Sequence, residues 1–272
     1  MTTFKALTIA GSDSGGGAGI QADIKTFQEL DVFGMSAITA VTAQNTLGVH
    51  GVYPVSVEAV VKQIEAIGSD LGTDALKTGM LFSSDIIEAV SEKIKQFKWT
   101  RVVVDPVMIA KGGASLLQNE AVNALKQHLL PLALVITPNI PEAEVLADMT
   151  IHNLEDRKKA AKHLHRLGAK HVIIKGGHDV DSENLVDILY DGEEYTYLTS
   201  KRIQTKNSHG TGCTFAAALT AELAKGQNIQ AAFKEAKNFI QVAIEDDLGI
   251  GNGHGPTNHW AFKRRKELNS LV

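Results

Sequence analysis

At 272 residues, 44% hydrophobic and 21% charged, the chain can bury a large core and needs neither disulfide nor metal to fold. Its formal net charge of -4, with no Lys/Arg block, argues against nucleic acid or an anionic membrane surface as partner. A single cysteine cannot form an intrachain disulfide, which suits a reducing cytoplasm, and no segment nears the ~18 apolar residues of a membrane span.

The opening run to Ala10 is too short, and too soon broken by glycines, to act as a signal peptide. Short apolar runs then alternate with amphipathic stretches. Ala6 to Ala10, Ser36 to Val41, Ala75 to Lys77, Arg101 to Val104, Leu134 to Ile136 and His171 to Ile174 read as strands covered on both faces. Ile20 to Leu30, Val57 to Ile67, Asp85 to Phe97, Glu120 to Leu130 and Glu155 to Leu167 carry helical spacing, with Gly68 and Gly168 placed as C-caps. After Gly177, Val186 to Tyr190 and Tyr195 to Thr199 flank Asp191-Gly192, which predicts a hairpin with a type I′ turn. Helices from about Thr211 to Lys225 and Ile229 to Asp246 follow. The alternation predicts one doubly wound, mostly parallel α/β domain over residues 1–272 with an antiparallel edge.

Ligands in such sheets sit at the carboxyl ends of the strands. Asp13 and its glycines, Gln44, Gly79-Met80, Asp105-Pro106, Asn139 with Glu142, and Lys175-Gly176-Gly177 all follow predicted strands. Gly17-Ala18-Gly19-Ile20-Gln21-Ala22 matches a dinucleotide-binding fingerprint. The next strand, however, ends Val41-Thr42-Ala43-Gln44-Asn45 without the ribose-binding acid that fingerprint requires. A nicotinamide enzyme would also leave Gly210-Thr211-Gly212-Cys213 unexplained. Those residues open a helix, where free N–H groups make an anion site suited to a phosphoryl group in flight.

The helix dipole predicts a lowered pKa for Cys213, whose thiolate could then take a proton from an attacking alcohol. No G-x-x-x-x-G-K-[ST] motif occurs, so any kinase chemistry uses a different cradle. Asp105 and Glu142 are the candidate magnesium ligands, Asn139 can fix a metal-bound water, and Lys175 can meet ATP phosphates. By itself Glu142 would read as an acidic residue in a first helical turn after Pro141. Pro106 to Leu117, with Lys111-Gly112-Gly113, reads as a flap that closes over the site.

Together these motifs resemble the ribokinase-like superfamily, and within it the hydroxymethylpyrimidine and phosphomethylpyrimidine kinases of thiamin biosynthesis. The likeness runs from Leu7 to about His259. It is carried by Ile9 to Asp23, Thr42-Ala43-Gln44-Asn45-Thr46, Lys77-Thr78-Gly79-Met80, Asp105-Pro106-Val107-Met108, Thr137-Pro138-Asn139, Lys175-Gly176-Gly177-His178 and His209 to Thr214. The resemblance implies a three-layer α/β/α fold and ATP with Mg2+ as cofactors. It implies a small-molecule aminopyrimidine alcohol and its monophosphate as substrates, and a cytoplasmic homodimer.

It also implies roles. Gln44 would hydrogen-bond the aminopyrimidine, with Asp23 and Gly11 nearby and Met80 and Val107 against the ring. Gly210, Thr211 and Gly212 would form the anion hole, and Cys213 would be the base. Asp105, Asn139 and Glu142 would serve the magnesium and phosphate end, and Lys175 and Thr211 the nucleotide. Related pyridoxal kinases place a second cysteine in the flap. Here the flap carries Ala110, which cannot add to an aldehyde, so the pyrimidine is the expected substrate and pyridoxal the alternative. A sensor that binds without catalysis would be expected to have lost Asp105, Glu142 or the anion hole.

Overall fold

Strand alternation distributes the β-branched residues between two cores. Along β5 (Val102–Val104), Val102 and Val104 join one cluster and Val103 the other. Along β7 (His171–Ile174), Val172 and Ile174 face the first cluster and Ile173 the second. A sheet apolar on both faces must be covered on both, and helices do this. The computed structural model describes residues 2–108, 119–177 and 183–270; the expected flap beyond Met108, with Ala110 and Lys111, and His178 lie outside them.

Chain order is β1 (Lys5–Asp13), α1 (Gly19–Glu29), β2 (Phe33–Asn45), β3 (Gly48–Pro54), α2 (Val57–Ala66), β4 (Ala75–Thr78), α3 (Ser84–Gln96) and β5. Then come α4 (Asn119–Ala124), β6 (Val135–Ile136), α5 (Ile140–Ala147), α6 (Leu154–Arg166), β7, β8 (Asn184–Tyr190) and β9 (Tyr195–Lys201). The chain finishes with α7 (Thr211–Ala224), α8 (Ile229–Glu245) and α9 (Ala261–Ser270). Among the described residues the strands form a nine-stranded sheet ordered β3-β2-β1-β4-β5-β6-β7-β8-β9. From β2 to β7 in that order neighbours are parallel; β3 at one edge and β8–β9 at the other are antiparallel. The order reverses at β1, and crevices open at such switch points.

Helices α2 to α6 supply the core of one face, and α1, α7, α8 and α9 the other. Helix α7 is buried continuously from Thr214 to Ala224, apolar nearly all round, because α1, α8 and the sheet enclose it. Its N-terminus is thereby fixed relative to β1 and β4.

Several expectations needed correction. Residues 191–194 join β8 and β9, so the hairpin loop has four residues, not a two-residue type I′ turn. Asp191 Oδ1 accepts the N–H groups of Glu193 and Glu194 at 2.9 and 2.8 Å, which closes that longer turn. Gly68 does not cap α2. The chain continues through a wide turn over 67–71, and Gly72, at φ 63°, ends it. Gly168, at φ 120°, does follow α6 as a cap. Three elements had no clear sequence signal: β3, interrupted by Gly51 and ending at Pro54, the short α5, and the charge-rich α9.

One charged pair lies inside the layers. Lys77 on β4 and Asp23 on α1 are both fully buried, with Nζ 2.9 Å from Oδ2. Thr8 donates to the same oxygen at 2.6 Å. Removing one member of such a pair strands the other charge. Asp23→Ala should therefore lower unfolding free energy by about 3–5 kcal/mol, measured by urea denaturation. A loss below about 1 kcal/mol would mean the lysine finds water or another partner.

Candidate active site

A cavity of about 640 Å³ opens at the carboxyl ends of the parallel strands. Gly11, Gln44, Met80, Asp105, Val107, Asn139, Glu142, Lys175 and Gly210 to Cys213 all line it. The sheet's topology therefore gathers residues spread across most of the sequence, as the strand-end rule predicts.

The first glycine loop is organised by Asp13. Its Oδ1 accepts from Gly15 N–H at 2.8 Å, and its Oδ2 from Gly17 and Ala18 N–H at 3.0 and 2.8 Å. His209 Nε2 completes the carboxylate at 2.8 Å. Burial pushes the Asp13 carboxyl up, but the His209 ring and these amides hold it below its usual range. At Gly11 a bulge interrupts the β1–β2 pairing, and a Cβ there would run into the Met80 methyl. A second bulge between Ala43 and Gln44 re-aims Gln44 at the end of β2.

The second glycine loop starts α7. Gly210 is its N-cap at φ 78°, with no side chain capping the first turn. A Cβ at Gly210 would collide with the Gly17 carbonyl, so only glycine lets the two loops close on each other. Thr211 Oγ1 at 2.8 Å and the Thr211 N–H at 3.4 Å both donate to Ser208 O, which holds the loop. Gly212 and Cys213 line the cavity at a helix start whose N–H groups have no intrahelical partner.

Cys213 departs from its expected chemistry. Burial pushes its thiol up to about 11, against the pull of Lys77 and of the Gly19 N–H directed at the sulfur. Asp23 and Asp105 add to the rise. The helix terminus does not outweigh enclosure beside two carboxylates, so Cys213 holds its proton at neutral pH.

Asp105 ends β5, is 2% exposed, and receives Lys175 Nζ at 3.1 Å and Thr137 Oγ1 at 3.2 Å. Lys175 passes over Gly212: a Cβ there would stand 3.3 Å from Nζ. The lysine charge thus lies beside the α7 terminus. Burial opposes its charge, but Asp105 and Glu142 hold its pKa above the usual lysine value.

Asn139 and Glu142 form a reciprocal capping box on α5. Asn139 Oδ1 accepts the Glu142 N–H at 2.9 Å, and Glu142 Oε2 accepts the Asn139 N–H at 2.8 Å. Asn139 is therefore already committed to the cap, not free to fix a water through that oxygen. Part of Glu142 is exposed, but its carboxyl turns inward, where burial pushes it up to about 7. Lys175 opposes that rise and Asp105 reinforces it. Two inward carboxylates crowding each other suit a magnesium ion bound largely through phosphates and water. Among the described residues no cluster of three or more His, Cys, Asp or Glu could hold a metal by itself.

The structure separates one predicted residue from the rest. Asp23 does not line the cavity; its carboxylate lies behind it, bound to Lys77 and Thr8. Lys77 lines the cavity in its place. Its sequence signal was a lysine inside an apolar strand buried on both faces, a charge that demands a partner. His209 was legible only as part of the Gly210 motif. At the far end, Lys237 pairs with Asp187 at 2.7 Å beside Gln241 and Ile244, contacts from α8 and β8 that sequence spacing does not place.

A doubly wound sheet carrying an anion cradle, a lysine and two carboxylates at its strand ends is the architecture of a ribokinase-like phosphotransferase. The chain belongs to the phosphomethylpyrimidine kinase family, which it matches over residues 13–258. It is 64% identical over 264 residues to the hydroxymethylpyrimidine/phosphomethylpyrimidine kinase of Bacillus subtilis, covering 97% of each chain. It is 56% identical to the kinase of the same description from Haemophilus influenzae, covering 95% of this chain and 97% of that one. In structure it is similar to the pyridoxal kinase of Staphylococcus aureus in complex with AMP-PCP and pyridoxal. That likeness has a TM-score of 0.90 and 42% identity, and covers 97% of this chain and 96% of that one.

Glu142 links the site to pH. Between its ordinary value of 4.5 and about 7, the folded protein keeps a proton that the unfolded chain releases. The stability this proton contributes is complete below 4.5 and is lost as pH rises through 7. Glu142→Gln keeps the cap without the charge. Its melting temperature relative to the parent should rise from pH 5 to pH 8 by on the order of a few °C. A constant difference would show that the carboxyl is well solvated.

Proposed function

We propose that this chain transfers the γ-phosphoryl group of ATP to the hydroxymethyl group of 4-amino-5-hydroxymethyl-2-methylpyrimidine, and then phosphorylates that monophosphate. The observation that carries this reading is the α7 terminus: a helix start that no side chain caps, Lys175 beside Gly212 and a thiol at the next position, all lining one cavity. Family membership and the two kinases to which the chain is similar support the substrate.

In this reading Gln44 hydrogen-bonds the aminopyrimidine, which packs against Met80 and Val107 over Gly11. The N–H groups of the Gly210-Thr211-Gly212 turn receive the transferred phosphoryl oxygens. Lys175, Thr211 and Asn139 face the nucleotide phosphates. Asp105 and Glu142 would hold magnesium, which supplies neutralisation of phosphate charge when bound. The alcohol oxygen forms the new bond to phosphorus as the bond to the ADP oxygen breaks, and the alcohol proton passes to Cys213 sulfur. A thiol held near 11 accepts that proton only from its thiolate form, so the first step should accelerate with pH. In the second step a phosphate oxygen already lacks its proton and needs no base. The same reading makes the chain a single-domain, cytoplasmic homodimer without a nucleic-acid partner; its net charge of -4 supports the last point. Among the described residues no helix is long and apolar enough to cross a membrane.

A pyridoxal side reaction is favoured by the structural likeness to a pyridoxal kinase. ATP consumption with the pyrimidine alcohol, its monophosphate and pyridoxal tests all three readings. Cys213→Ala should lower kcat roughly 10²–10⁴-fold with the alcohol and far less with the monophosphate. It should also abolish the rise in rate with pH. Turnover dominated by pyridoxal would overturn the substrate, and a loss under a few-fold with the alcohol would overturn the base.

A further inference from the structure

One contact in the cavity is over-supplied with donors. His209 Nε2 lies 2.8 Å from Asp13 Oδ2 and 3.0 Å from the Gln44 amide nitrogen, so two nitrogens face each other. A carboxylate oxygen only accepts, so Nε2 carries a proton, and its one N–H is satisfied on both sides only when it is shared between Asp13 and an acceptor on Gln44. Turning the amide end for end, which leaves its shape unchanged, puts its oxygen there and removes the clash of donors. The other end of the amide points the same way. Gln44 Oε1 lies 3.2 Å from Thr42 Oγ1, whose single hydroxyl proton goes to the nearer Ser12 O at 2.9 Å, so acceptor faces acceptor there. With the amide turned, the Thr42 lone pairs receive its NH2.

We propose that His209, locked by Asp13, is a positioning residue that fixes which way the Gln44 amide faces and so sets how the heteroaromatic ring lies. This rests on the reading that Gln44 meets the aminopyrimidine. His209 is suited to the task because it cannot turn away. Its residue is 9% exposed, its ring lies against Gly17, and its backbone N–H donates to Gly255 O at 3.0 Å.

The fixed amide offers a ring one accepting lone pair on its His209 side and one N–H on its Thr42 side. A 4-aminopyrimidine presents the complementary pair, an amino donor beside a ring-nitrogen acceptor. The amino group then lies on the His209 side, and the hydroxymethyl group on the neighbouring carbon extends toward Gly210 and Cys213. With the amide reversed, the ring would turn over and carry the alcohol away from the cradle.

The test uses His209→Leu and His209→Gln, with calorimetric binding of the pyrimidine alcohol and steady-state kinetics. His209→Leu should weaken pyrimidine binding roughly tenfold while KM for ATP stays within about twofold. His209→Gln, which retains an N–H donor, should restore binding to within about threefold. Added to Gln44→Ala, His209→Leu should change binding less than about twofold, since its partner is gone. Effects that multiply in the double variant, or a rise in both KM values alike, would overturn the proposal. Were His209→Leu unable to fold, a tenfold loss in His209→Gln would overturn it and near-parent binding would support it. Failure of the unaltered protein to bind the pyrimidine would overturn the substrate reading instead.

Discussion

A Cβ at Gly210 would collide with the Gly17 carbonyl, and this close approach joins the two glycine loops. One loop follows the first strand; the other begins α7 nearly two hundred residues later. Asp13 and His209 span the same junction at 2.8 Å. The contact places the N-terminus of a buried helix against the loop that leads into α1. Helix α7 cannot shift to relieve it, because the sheet, α1 and α8 enclose it from Thr214 onward. The anion cradle therefore exists before any phosphate arrives, and preorganised donors need not be reoriented during the reaction.

Around this junction the charges are arranged in pairs rather than singly. Lys77 with Asp23 and Lys175 with Asp105 each bring a cation and a carboxylate out of water near Cys213. Neither pair is strong evidence for stability, since desolvation offsets much of the attraction. Their effect is on the site. They keep two ammonium groups charged at the cavity wall, and with Glu142 they keep the negative charge in slight excess where phosphates and a divalent cation would enter. Burial, with Asp23 and Asp105 adding to it, holds the thiol protonated, so the thiolate base is scarcely populated at neutral pH.

The parallel core was legible because buried strands repeat Val and Ile and their helices carry caps. The location of the site was legible too, since polar residues and glycines recur after successive strands. Four things were not. Short elements such as α5 depend on a capping box that local composition alone undersells. The pKa of Cys213 depends on what encloses it, whereas its place on a helix suggested the opposite direction. Asp23 belongs to the motif by sequence but faces Lys77 by geometry, because helix α1 turns it toward β4 rather than the cavity. The network of Asp13, His209 and Gln44 joins positions whose separation in the chain hides them from any local pattern.

The most direct test of this account compares Gly210→Ala with Gly226→Ala. Both glycines have positive φ, 78° and 84°, but a Cβ at Gly226 meets nothing within 4 Å. Both variants should lose some stability from backbone strain. Only Gly210→Ala should lower kcat/KM for the pyrimidine alcohol, by roughly 10²–10³-fold, with its secondary structure intact. Activity within a few-fold of the parent in Gly210→Ala would contradict the claim that the clasped glycine loops build the phosphoryl cradle.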